Sequence, residues 1–213
     1  MANFRPENDP ERSLIRQLGL GYFTSADADP QLKKVYDRSF APLATEYDEA
    51  LEGHRTFQSE VNTEHAASVT SDGLIDETQR LITLDVEARY GKVGLKELER
   101  LCDGRTRSEV TRLNIGEELT VIADMIVRYE AGSTITLDPS LLATQKAQLA
   151  DGQLHWAAYQ RALGGQRAAR VRLDAARLAF DAGWTRFVAS ARSLLSDAEL
   201  ARLVPDLSAL RAR

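Results

Sequence analysis

The sequence predicts an all-α protein: a helical bundle of long amphipathic helices with an internal tandem duplication. Three observations carry the expectation. Helix-start signals recur along the chain. Apolar residues return every three to four positions through segments far longer than a strand. Residues 47–104 also align without a gap on residues 149–206, with 11 identities in 58 positions. Chance gives about four at a single offset, and this offset is the best of many.

The starts come first. Asp precedes Pro at Asp9-Pro10, Asp29-Pro30 and Asp138-Pro139, which sets an N-cap acceptor before a residue whose fixed φ suits the first helical position. Thr106 with Glu109 and Ser196 with Glu199 read as capping boxes. Gly19, Gly91, Gly94, Gly104 and Gly132 supply the stops.

Between these marks the spacing is helical. Phe40, Tyr47, His54 and Val61 recur every seven residues, beside a row of Leu43, Ala50 and Phe57. Leu142, Leu149, Trp156 and Leu163 repeat the design beside Gln145, Gly152 and Tyr159. Leu173, Phe180, Trp184, Phe187 and Leu194 form a third stripe. Val110 to Tyr129 is apolar on more than one side, which suits a helix through the middle of the bundle. Only Ser133 to Leu137 alternates like a strand, and it is too short to found a sheet.

In the repeat frame Tyr47, His54 and Val61 fall on Leu149, Trp156 and Leu163, and KELERLC falls on AELARLV. Each repeat then reads as two long helical stretches and a short capping helix. Gly164-Gly165 costs a helix about 2 kcal/mol against two alanines, and its counterpart Asn62-Thr63 is also a good breaker. That balance favours a hairpin at each point, although the register Tyr159, Gln166, Leu173 passes through the glycines unbroken. The chain divides on this reading into a short N-terminal helix and linker (1–30), a first helical unit (31–104), a central connecting helix (105–137) and a second helical unit (138–213), all in one compact domain.

Composition narrows the function classes. The 213 residues are 43% hydrophobic and 28% charged, which is enough to build a core and too apolar for a disordered chain. The N-terminal stretch is polar, without the apolar region of a secretory signal, and no apolar run approaches the roughly 18 residues of a membrane span. With one cysteine, Cys102, no intrachain disulfide forms, and cytoplasmic residence is the default. The net charge of −5 is uneven: residues 1–104 hold 12 basic and 20 acidic side chains, and residues 105–213 hold 15 and 12. Seven arginines lie between Arg161 and Arg192. Either the halves neutralise each other within one molecule, or a basic face meets an acidic partner.

Catalytic and metal motifs are missing. None of His54, His65 and His155 follows a glutamate at the Glu-x-x-His spacing of a diiron bundle, and no nucleophile elbow, dinucleotide fingerprint or phosphate loop is present. The expectation is no catalytic residue, no metal ligand and no cofactor. Cys102 reads as a small buried hydrophobe.

One stretch stands out. Gly94 to Asn114, GLKELERLCDGRTRSEVTRLN, resembles a helix-turn-helix DNA-binding unit. Gly104 would make the turn, Thr106 would cap a second helix, and Arg105, Arg107, Ser108, Thr111 and Arg112 would face phosphates and base edges. Glu99 and Arg100 depart from it where a small residue is wanted, Arg105 departs where an apolar residue closes the turn, and Asp103 is one residue extra. The first expectation for function is therefore a non-enzymatic interaction or scaffold protein, self-associating as a homodimer through a surface that includes Arg167, Arg170 and Arg177. Arg170 and Arg177 sit on the inward seam, where they would face carboxylates such as Glu60, Glu64, Asp76 or Glu77. A DNA-binding regulator is the alternative. A third reading is a ligand-binding bundle or enzyme with a pocket near Trp156, Tyr159 and Trp184. No membrane partner is expected.

Overall fold

The computed structural model describes residues 6–25, 28–204 and Leu207. Of the described residues 87% are helical, and none lies in a strand. Helices α1 (Asp9–Phe23) and α2 (Pro30–Val35) lead through a π-helical turn (Tyr36–Phe40) into α3 (Ala41–Leu101). A single turn, α4 (Arg107–Val110), precedes α5 (Ile115–Ala131), α6 (Pro139–Leu194) and α7 (Asp197–Leu203). No described helix is long and apolar enough to cross a membrane.

Most start signals act as expected. The Asp29 carboxylate accepts from the backbone N–H of Gln31 and Leu32; Asp138 accepts from Ser140 and Leu141. At the first start the cap shifts by one residue. Asn8 accepts from Glu11 N at 2.9 Å, which leaves Asp9 inside the helix and available to a guanidinium. Glu109 and Glu199 reach back to the backbone N–H of Thr106 and Ser196 at 2.8 and 2.9 Å.

The expected hairpins do not form. α6 passes through Gly164-Gly165 as one helix, and α3 passes through Asn62-Thr63. Packing explains the second glycine. A Cβ on Gly165 would run into the Phe57 ring, whereas one on Gly164 would meet open space. The residue that reads as a breaker is small because a neighbouring helix comes close. α3 breaks its helical geometry at Gly91 instead, at φ 57° and ψ −147°.

The chain forms two compact units that differ from the expected division. A terminal unit comprises 1–56 with 167–213, and a central unit comprises 57–166; α3 and α6 contribute to both. The terminal core is aromatic: Phe40 packs against Phe180 and Trp184 at ring distances of 4.9 and 5.3 Å, and Tyr47 against Phe180 at 5.2 Å. The central core is aliphatic, with Ile75, Ile82, Val86, Leu101, Ile122 and Met125 all buried. Gly116 there lies against the Trp156 indole, and Gly152 against Leu119 and Ile75.

The central connecting helix expected over 105–137 is divided. Asp103 (φ 62°) and Gly104 (φ 78°) turn the chain out of α3, and Gly104 N closes the turn on Glu99 O at 2.8 Å. Ser133 to Leu137 is a pinned loop: the Tyr90 and Tyr129 hydroxyls accept from Thr136 and Leu137 N, and Glu97 accepts from Ser133 and Thr134. Arg100, with these donors, holds the Glu97 carboxyl down to about 2.

Candidate functional site

The outward face of α6 in the terminal unit carries an apolar seam. Ala168, Val171, Ala175, Leu178, Ala182, Thr185 and Ala189 follow alternating steps of three and four, so they share one side of the helix. All seven are exposed. Val171 and Leu178 are each 71% exposed, which marks them as uncovered apolar side chains and not the rim of the core. The inward side of the same helix carries Leu173, Phe180, Trp184 and Phe187, all buried. The residue spacing therefore supports two apolar faces, only one of which the described residues cover.

Arginines edge the open face. By helical rotation Arg167 and Arg170 lie along one side, and Arg172 and Arg186 along the other. Arg172 reaches Glu49 across 3.5 Å, with both side chains largely exposed. The guanidinium groups of Arg167, Arg170 and Arg186 make no hydrogen bond or ion pair among the described residues.

Arg177 belongs elsewhere. It pairs with Asp9 of α1 and with Asp174, and Asp9 also meets Arg12 at 3.2 Å. Arg12, nearly buried, holds both oxygens of Asp181 at 2.9 and 2.7 Å. The Tyr47 ring lies beneath this network, and burial together with Asp9 raises its hydroxyl pKa. Arg177 thus does face a carboxylate, but the partner is Asp9 of the same chain and none of Glu60, Glu64, Asp76 or Glu77. The sequence could not supply that pairing, because it depends on where α1 docks.

The aromatic trio is not brought together. Trp156 and Tyr159 neighbour each other in the central unit at 5.5 Å, while Trp184 is sealed in the terminal core. His54 and Trp156, matched in the repeat frame, are both half-buried. His155 contacts Glu64 at 3.2 Å.

The helix-turn-helix geometry is not formed. α4 ends at Val110, and Thr111, Arg112 and Leu113 form a turn before Asn114 caps α5. One helical turn is too short to serve as a recognition helix. Arg105, Arg107, Ser108 and Thr111 instead border a cleft of about 290 Å³ in the central unit, and Arg112 is exposed.

A buried carboxyl group, not singled out by the sequence, lies in the same unit. Glu118 on α5 is 1% exposed and lies beside Asp76 and Asp72 of α3. Carboxylates gathered in a buried site repel each other and favour a proton on one of them. Desolvation first, then the charges of Asp76 and Asp72, push Glu118 up to about 8. Burial raises Asp76 and Asp72 as well. One oxygen on each of the three has no hydrogen-bond partner. No group of three or more His, Cys, Asp or Glu among the described residues is arranged to hold a metal ion. Cys102 is buried, and desolvation raises its thiol to about 11, so it is a poor nucleophile. Comparison with family models, with curated proteins and with solved structures finds no match to this chain.

Proposed function

We propose that the protein is a non-enzymatic helical interaction protein, and that the open face of α6 takes a partner helix whose own apolar stripe is flanked by carboxylates. The observation that carries this reading is the exposed seam through Val171 and Leu178 with unpaired arginines on both edges. Small residues alternate with larger ones along it, so a second helix can approach closely. Covering Val171 and Leu178 is worth roughly 3–6 kcal/mol before the costs of association. That alone falls short of the roughly 8 kcal/mol of a micromolar complex, so the alanines of the seam and the arginine edges must contribute as well.

The charge at the edges selects the partner. Two copies of this face would set arginine against arginine, so isologous self-pairing is disfavoured. A glutamate-flanked helix is complementary.

Two synthetic helices test the proposal, both with leucine and alanine on the apolar stripe, one flanked by glutamate and one by lysine. Fluorescence anisotropy should detect binding of the glutamate peptide, weakening as salt rises. Arg167→Glu with Arg170→Glu should weaken it at least tenfold, and Val171→Asp with Leu178→Asp should abolish it. Equal binding of the two peptides, or no binding of either, refutes the reading. Sedimentation of the chain alone resolves the other occupant: a dimer dispersed by the Val171 and Leu178 substitutions would make the partner a second copy.

A further inference from the structure

The cleft beside α4 is a separate feature, in the other unit and on other residues. Its floor is apolar, formed by Leu95, Leu98, Cys102 and Val110. The first two belong to α3 and the last to α4, so the turn at Asp103 and Gly104 holds the two walls apart. Leu98, Cys102 and Val110 are all at least nine-tenths buried, which makes the floor part of the core and not a loose surface dip.

Polar groups converge on this floor. Gln79, 4% exposed, lines the cleft, and its amide nitrogen donates to the Met125 sulfur at 3.5 Å. A thioether is a weak acceptor, so the amide retains capacity for a better one. Thr83 stands one turn further along α3 on the same side. At the mouth are Arg105, Arg107 and Ser108. Neither guanidinium makes a hydrogen bond or ion pair among the described residues, although Arg107 lies within the field of Asp76 and Glu77 and Arg105 within that of Glu109. Glu99 is the single carboxylate on the lining, against two cations.

An apolar floor, a buried amide and a cationic mouth define a ligand by its parts. We infer that this cleft binds a small amphipathic anion, with its hydrocarbon body on Leu95, Leu98 and Val110 and its acidic head at Arg105 and Arg107. The volume of about 290 Å³ is at the small end for ligand pockets, which suits a medium-chain carboxylate or a bicyclic aromatic acid. The arginines that the sequence sets out in a row for phosphates are used here on one small anion. Leu98, Cys102 and Val110, which would face inward in a helix-turn-helix, become the wall of its site.

The probes are 8-anilinonaphthalene-1-sulfonate, which brightens in apolar surroundings, and the pair decanoate and decylamine, which share a chain and differ in head charge. The intact protein should bind the sulfonate saturably at one site. Decanoate should displace it and decylamine should not. Arg105→Ala with Arg107→Ala should weaken both anions at least tenfold, whereas Arg112→Ala should leave them unchanged. The open face of α6 could also attract the dye, so Val171→Asp with Leu178→Asp serves as the control and should not alter the site. Cys102, the chain's one thiol and part of the floor, gives an independent readout: decanoate should slow its reaction with a disulfide reagent severalfold. Displacement by decylamine as well as decanoate overturns the inference. So does dye binding that survives the double arginine substitution, or a Cys102 rate that decanoate does not change.

Discussion

At the scale of single residues, Glu118 is the most consequential position. It places a carboxyl group in an aliphatic core without a cation beside it. The folded chain keeps a proton on Glu118 up to about pH 8, while the unfolded chain releases it near the ordinary value of 4.5. Between those values the folded state binds more protons than the unfolded one, so each rise in pH favours unfolding. Stability should therefore fall from pH 5 to pH 8, by an amount on the order of a few kcal/mol. Glu118→Gln keeps the shape but cannot ionise. The variant should match the wild type near pH 5 and exceed it at pH 8.5. Urea unfolding at the two pH values measures this, and a wild type that gains stability over the range would contradict it. Sequence offered no hint of this group. Glu118 reads as an ordinary first-turn acid of α5, well suited to a helix N-terminus, and only the docking of α5 on α3 sets it beside Asp76 and Asp72.

At the scale of elements, the sequence was most legible where local chemistry decides. The starts at Asp29 and Asp138 and the capping boxes appear in place, because each depends on neighbours within a turn, and the stripes are helical as spaced, although Leu194 at the end of the third is exposed. Where a contact from another helix decides, the local rule misleads. Gly164 and Gly165 look alike in the sequence and differ in space. Gly164→Ala adds a methyl group to open solvent within a helix and should stabilise by about 0.5–1 kcal/mol. Gly165→Ala drives a Cβ against the Phe57 ring and should destabilise by about 1–3 kcal/mol. Thermal unfolding of the two variants should move the midpoint in opposite directions; movement in the same direction would mean that the Phe57 ring yields freely. The long helix expected after Thr106 is cut short for a related reason. Thr106 starts a helix as its capping box requires, but Asn114 caps another only eight residues later, and the two cannot belong to one long helix.

At the scale of the whole molecule, the uneven charge is partly neutralised within the chain. Arg177 with Asp9 and Arg172 with Glu49 join basic residues of the second half to acids of the first. The arginines of α6 consequently divide into two kinds that their spacing did not separate. Arg177→Glu would set a third carboxylate beside Asp9 and Asp174 and should cost about 1–3 kcal/mol, the half-buried setting reducing the figure for a fully buried pair. Arg170→Glu touches nothing and should stay within about 0.5 kcal/mol. Urea denaturation of each compares them, and equal losses would mean that Arg170 is also anchored. The third residue of the expected surface, Arg167, is exposed and unpaired like Arg170, so two of the three face outward and one does not.

The division of the terminal unit between the two ends of the chain sets a timetable for synthesis. Arg12 and Asp181 are 169 residues apart, and a ribosome adds roughly 5–20 residues each second. About 10–30 seconds therefore pass between the emergence of one and the arrival of the other. Over that interval Ile15, Phe23 and Phe40 have no Phe180, Trp184 or Phe187 to cover them. The central unit is contiguous in sequence, and its last residue, Gln166, precedes Asp181 by about 1–3 seconds of synthesis. The nascent chain is thus expected to complete its central unit slightly ahead of the terminal one, whose aromatic N-terminal residues stay uncovered until the second half of α6 arrives.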